Sequence, residues 1–279
     1  MRELFTMWKN TRMIVLTALI AAVYAGVLIP FKAIPLVPGI TEIRVAQVIP
    51  PVASLLFGPA AAWGVAIGNL IGDLFGTFGL GSLFGFIGNF FLGAIPYMMW
   101  GRLGALSSGE EPSMKGTRQV TEFIILTVAS GIACALIIAW GLEMLGLFPF
   151  TVLGSIIALN NVLLPAVLGP VLMGLLYGRV KRWGLLWSDI MEPQEIGSGR
   201  SGSTAAWLVL IASVAGWVIL MAISLGVGGQ IFNPGFAQFG KGGAQSVVMA
   251  GIPFMLALLA SLFLGRARTD LARVDRKAA

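Results

Sequence analysis

The chain has no histidine and a single cysteine, and only 11% of its residues are charged. Without histidine the commonest metal ligand and neutral-pH proton shuttle is missing. No haem, zinc or copper site is expected, no cofactor is assigned, and neither a Ser-His-Asp nor a Cys-His nucleophile set can be assembled, so an enzyme is not expected. One cysteine, Cys134, excludes an internal disulfide, and its position inside an apolar run reads as that of a small apolar residue. Nucleotide-binding patterns are lacking too. Gly235-Phe-Ala-Gln-Phe-Gly240-Lys241 resembles a phosphate loop, but Gly242 stands where Ser or Thr must ligate Mg²⁺, and no strand precedes it. A transport process driven by ATP would need its ATPase on another chain. A cleavable leader is not expected either: the first apolar run follows Arg12 without a small-residue cleavage site and reads as a retained helix.

What the chain has in abundance is apolar sequence, 57% of all residues. The charged fraction is less than half of the roughly 25% usual in soluble domains, and several apolar runs exceed the roughly 18 residues that mark a membrane-spanning helix. The class is all-α, a polytopic membrane protein; a β-barrel would show short alternating segments instead. Eight helices are expected, over about 13–30, 42–57, 60–75, 82–100, 120–145, 151–177, 204–227 and 246–264. Pro50-Pro51 predicts a kink in the second. Phe57-Gly58-Pro59 predicts a tight turn with Pro59 at a helix start. The organisation predicted is a six-helix core over 1–182, a polar linker over 183–203 and a two-helix extension over 204–279.

The net charge of +6 is a topology signal rather than a nucleic-acid signal. Of the 18 Lys and Arg residues, 15 fall in segments 1–12, 102–119 and 179–203 and in the tail after 264, all on one side of an eight-crossing chain. Cytoplasmic segments carry the basic excess, so both termini are expected in the cytoplasm of a cell (plasma) membrane protein. The exceptions are Lys32, Arg44 and Lys241. Loops near 32–41, 76–81, 146–150 and 228–245 then face outward.

This topology sorts the intramembrane polar residues, which are costly in lipid and default to a functional reading. Glu42, Arg44 and Gln47 open the second helix at its outer end. Asn69 and Asp73, four apart, share one face of the third. Asn89 lies in the fourth helix, Glu143 near the outer end of the fifth, and Asn160 and Asn161 in the sixth. Gathered in the outer half, they form an outward cup suited to a small polar ligand. The candidate substrate-binding set is Glu42, Arg44, Gln47, Asn69, Asp73, Asn89 and Asn160. The competing reading is structural: an ion pair of Arg44 with Asp73 or Glu42, a Glu143 that snorkels to the headgroups, and an interhelical hydrogen bond from Asn161.

Small residues at four-residue spacing mark close helix approach. Gly64, Gly68 and Gly72 in the third helix and Gly81, Gly85 and Gly93 in the fourth read as internal packing. Ala18, Ala22 and Gly26 in the first helix form a candidate face for a partner helix.

The stretch Ile43-Arg44-Val45-Ala46-Gln47 after a Pro-containing outer loop, the turn Phe57-Gly58-Pro59, and Gly68-Asn69-Leu70-Ile71-Gly72-Asp73 resemble the substrate-capturing subunits (S components) of energy-coupling factor (ECF) transporters, in their QueT-like branch. The resemblance covers about residues 10–182 and departs at Ala46-Gln47, where that branch suggests Ser-Glu, and in the two added helices. It implies a six-helix fold and an outward site for a vitamin-like or nucleobase-like ligand, queuosine precursors included. It implies docking through the Ala18, Ala22 and Gly26 face onto a transmembrane coupling subunit driven by two ATPase subunits. The alternative is a stand-alone secondary transporter or channel for a small polar solute, which would need a coupling-ion site or an inverted repeat.

Overall fold

In the computed structural model the described residues are 2–37, 41–42, 44–192, 202–227 and 245–264. The segment 235–242, Lys241, Arg200, Ile43 and the basic tail lie outside them.

A short helix α1, Glu3–Thr6, and a 3₁₀ turn at Met7–Lys9 lead to α2, Thr11–Phe31. Asn10 caps α2: its side-chain oxygen accepts from the Arg12 and Met13 amides at 3.0 and 3.4 Å. Two short antiparallel strands follow, β1 (Pro35–Val37) and β2 (Thr41–Glu42), with Pro35 opposite Glu42 and Val37 opposite Thr41. A 3₁₀ turn, Val45–Val48, leads into α3, Ile49–Phe57.

The second helix thus begins later than the sequence predicts, and Glu42 sits on a strand. Pro50 and Pro51 fall in the first turn of α3, where a missing N–H is harmless, so they start the helix rather than kink it. Nine residues make α3 about 14 Å long.

Gly58 turns the chain with φ +51°, a conformation costly for a side chain, and Pro59 opens α4, Pro59–Asp73. The remaining helices are α5 (Gly81–Met99), α6 (Thr117–Met144), α7 (Phe150–Arg182), α8 (Trp187–Ile190), α9 (Gly202–Ser224) and α10 (Gln245–Leu264). Six helical stretches are long and apolar enough to cross a membrane; α3 and α4 are shorter. The protein is an all-α multi-pass membrane protein.

The glycine ladder of α4 packs on α2. A Cβ added at Gly64 would lie 2.9 Å from the Thr17 carbonyl oxygen, and one at Gly68 2.8 Å from that of Ala21. Gly93 of α5 approaches the Ala61 carbonyl in the same way. Ala18, Ala22 and Gly26 lie on exposed positions of α2, and a Cβ at Gly26 would meet nothing within 4 Å.

Part of the expected 183–203 linker folds back onto the bundle. The Trp187 ring covers Gly58 and sits edge-on to Tyr97 at 5.6 Å. Helices α9 and α10 pack on each other and on α6. Two indole N–H groups tie them to the bundle: Trp140 donates to the Val248 carbonyl at 2.9 Å, and Trp217 to that of Gly154 at 3.2 Å.

Candidate ligand site

A cavity of about 170 Å³ opens between the ends of α4, α5, α6 and α7. One wall is polar, formed by Arg44, Gln47, Asn69, Asp73, Thr77 and Ser82; the facing wall is apolar, with Ile138 and Leu142 from α6 and Leu153 and Ile157 from α7. The volume is below the roughly 300–1,000 Å³ of drug-sized sites, so the cavity suits a compact ligand with a polar edge and an apolar face.

The polar wall is one chain of contacts. Arg44, in the link between β2 and the 3₁₀ turn, donates from Nη1 to Asn69 Oδ1 at 3.0 Å. Asn69 Nδ2 donates to Asp73 Oδ2 at 3.3 Å, one helical turn along α4. The other carboxylate oxygen, Oδ1, accepts from the Thr77 hydroxyl at 3.0 Å and faces the Lys32 ammonium at 3.5 Å. Lys32 also donates to Thr77 Oγ1 at 2.6 Å. Both side chains of the Lys32–Asp73 pair are 7% exposed.

Of the two ion-pair partners foreseen for Arg44, Asp73 is reached only indirectly, and the side chain of Glu42 lies outside the described part. Asn69 stands between Arg44 and Asp73, and the ammonium against the carboxylate belongs to Lys32. Gly85 keeps the space open, since a Cβ there would lie 3.1 Å from Asn69 Nδ2.

Gln47 joins this wall to a second polar group that is nearly closed to solvent. Gln47 is 1% exposed and Asn89 and Tyr24 are fully buried. The Tyr24 hydroxyl lies 3.2 Å from Gln47 Oε1 and 3.2 Å from Asn89 Oδ1, and Asn89 Nδ2 donates to the Gly85 carbonyl at 2.9 Å.

Of the sequence candidates, Arg44, Gln47, Asn69 and Asp73 line one cavity. Asn89 supports it from behind. Asn160 is half-buried and does not line it, while its neighbour Asn161 is buried and reaches the Gly131 carbonyl at 3.5 Å. Glu42 lies on β2, and its side chain is outside the described part. Glu143 is buried rather than snorkelling: its carboxylate accepts the Phe150 amide and so caps α7. Tyr24, Lys32, Thr77, Ser82 and Cys134 are site residues that the sequence did not single out.

A family profile described as QueT transporter matches residues 14–178, more than half of the chain. The chain belongs to the QueT transporter family. It is accordingly a transporter component, and the matched region holds every described residue of the cavity wall. Helices α9 and α10 lie beyond the match. Comparison with curated proteins and with solved structures found no match.

Proposed function

We propose that this QueT-family chain is the substrate-capturing subunit of an ATP-driven ECF-type importer. It takes up a small vitamin-like or nucleobase-like ligand, a queuosine precursor among the candidates, in the cavity beside Arg44, Asn69 and Asp73. The observation that carries this reading is the cavity itself, a polar wall facing an apolar one. It sits at the end of the bundle where α2 finishes, away from the basic segments that begin α2 and α6 and end α7. With basic residues in the cytoplasm, the cavity opens outward and both termini lie inside.

The exposed Ala18, Ala22 and Gly26 positions support docking of α2 against a coupling subunit, since internal packing uses the other face of that helix. Two ATPase subunits would drive the cycle.

The ligand reading is tested by thermal unfolding of the purified protein against a panel of deazapurines and vitamins. Stabilisation by one member, lost in Asp73→Ala, is expected; no stabilisation by any member refutes the ligand class. Docking is tested by Ala22→Leu, which should leave the protein folded and abolish co-purification with a coupling subunit. A stand-alone carrier would take up solute in response to an ion gradient and remain indifferent to ATP depletion.

A further inference from the structure

The end of the bundle that holds the cavity shows little charge on its surface. The stretches 74–83 and 144–150 contain no Asp, Glu, Lys or Arg. Of the described side chains nearby, those of Lys32 and Asp73 are nearly buried, Glu143 is buried, and Arg44 is taken up in the cavity wall. The surface there is apolar instead. Leu74, Phe75, Phe78, Leu80 and Leu83 are each between 59% and 76% exposed, and Leu147 is 49% exposed. Leucine and phenylalanine crowded this closely in the open mark a contact with something apolar.

The helix lengths identify that contact. Helix α5 has 19 residues and spans about 28 Å, and α4 has 15 and spans about 22 Å. Helix α5 stops at Met99, just before Arg102 of a basic segment, which sets that end at the inner membrane surface. The hydrocarbon layer is about 30 Å thick. Starting from one boundary, α5 reaches the other without passing it, and α4 stops about one turn short. The link between the two helices therefore lies within the depth of the bilayer and not above it. Phe78, Leu80 and Leu147 also line the cavity, so the depth of this rim is the depth of the cavity mouth.

We propose that the rim formed by 74–83 and Leu147 sits in the outer leaflet of the lipid bilayer, where acyl chains meet headgroups, and that the cavity opens into this layer instead of into bulk water. The proposal rests on the reading of the cavity as an outward ligand site, and it adds the route by which a ligand arrives. A compact uncharged heterocycle crosses the headgroup layer more readily than a strongly hydrated anion, which must shed its water on the way. The wall of Arg44, Asn69 and Asp73 then replaces the hydrogen bonds that the ligand leaves behind.

Spin labels on the full-length protein read the depth of the rim. The sole cysteine is removed as Cys134→Ala, and one nitroxide is attached at Phe75→Cys, Leu80→Cys or Leu83→Cys, all well exposed positions. The protein is reconstituted in phosphatidylcholine vesicles without ligand. Relaxation by oxygen, which dissolves in lipid, is compared with relaxation by a neutral nickel chelate, which stays in water. Lys115→Cys in the basic segment is the water reference, and Leu163→Cys on the open face of α7 is the lipid reference. The oxygen-to-nickel ratio at the rim should match that of Leu163→Cys and exceed that of Lys115→Cys at least about tenfold, since apolar surroundings exclude the polar chelate. A water-like ratio at two of the three rim sites overturns the proposal. Shielding from both reagents at two of them also overturns it, because protein and not lipid then covers the rim. No ligand takes part in this measurement, so it stands apart from the thermal-unfolding panel, whose failure counts against the ligand class alone.

Discussion

Replacing Lys32 by Met should cost the protein about 3 kcal/mol. Lys32 and Asp73 face each other at 3.5 Å with both side chains 7% exposed. At an effective dielectric of about 20 the Coulomb attraction is about 5 kcal/mol. Desolvation offsets much of that in the intact pair, but methionine removes the attraction and leaves the carboxylate's burial in place, a change worth roughly 3–5 kcal/mol. Thr77 and Asn69 still donate to the two carboxylate oxygens, which holds the loss to the low end. The double variant Lys32→Met/Asp73→Asn has no stranded charge and should recover at least about 2 kcal/mol of the loss, a coupling well within the range for residues in contact. Detergent-solubilised protein unfolded by SDS titration gives all four corners of the cycle. Labelling of Cys134, the sole cysteine and a cavity-lining residue, gives an independent readout. It should speed up in Lys32→Met, because Thr77 loses its 2.6 Å contact with the ammonium. A loss below about 1 kcal/mol, or a double variant no better than the single one, would show that the two charges do not act as a unit.

Three further outcomes are expected. Gly68→Val should destabilise by about 1–3 kcal/mol, since its Cβ would press on the Ala21 carbonyl, whereas Gly26→Val on the open side of α2 should stay within the ordinary glycine-replacement range near zero; thermal unfolding compares the two. Glu143→Ala strands the buried Phe150 amide and should cost about 1–3 kcal/mol, with Glu143→Gln recovering most of it in the same assay. Trp140→Phe removes the indole donor to the Val248 carbonyl while keeping a ring beside Phe84, and should cost about 1–2 kcal/mol by SDS titration.

The helices were legible because lipid enforces long apolar runs and glycine ladders, and these leave a plain record in the sequence. The start of the second helix was not. The apolar pattern runs through 45–48, and only the fold shows that the chain there forms a 3₁₀ turn and that the prolines open α3. Asn69 and Asp73 were legible from their four-residue spacing, and Arg44 from its place as a basic residue on the wrong side of the charge bias. Lys32 carried the same mark and was counted only as an outer charge; its role depends on α2 ending beside Thr77, a contact between residues 45 positions apart. Tyr24 gave no sign at all, because an aromatic inside a membrane helix is ordinary until its hydroxyl is found between two amides. Asn160 and Asn161 stand about 100° apart on one helix, so only one can face inward, and residue type alone could not say which.

The nine residues of α3 have a consequence for the depth of the cavity. Gln47 at the cavity wall lies just before this helix, and the Gly58 turn at the opposite end lies just after it. Along that line α3 itself supplies about 14 Å of packed protein, and the Trp187 ring that covers Gly58 extends the packing beyond the end of the helix. Val52, Leu55 and Leu56, all buried side chains, fill that short helix between the cavity wall and the turn. With so few turns available, their bulk is what keeps the floor of the cavity solid, and a smaller side chain at any of the three would let the pocket deepen toward the Gly58 turn.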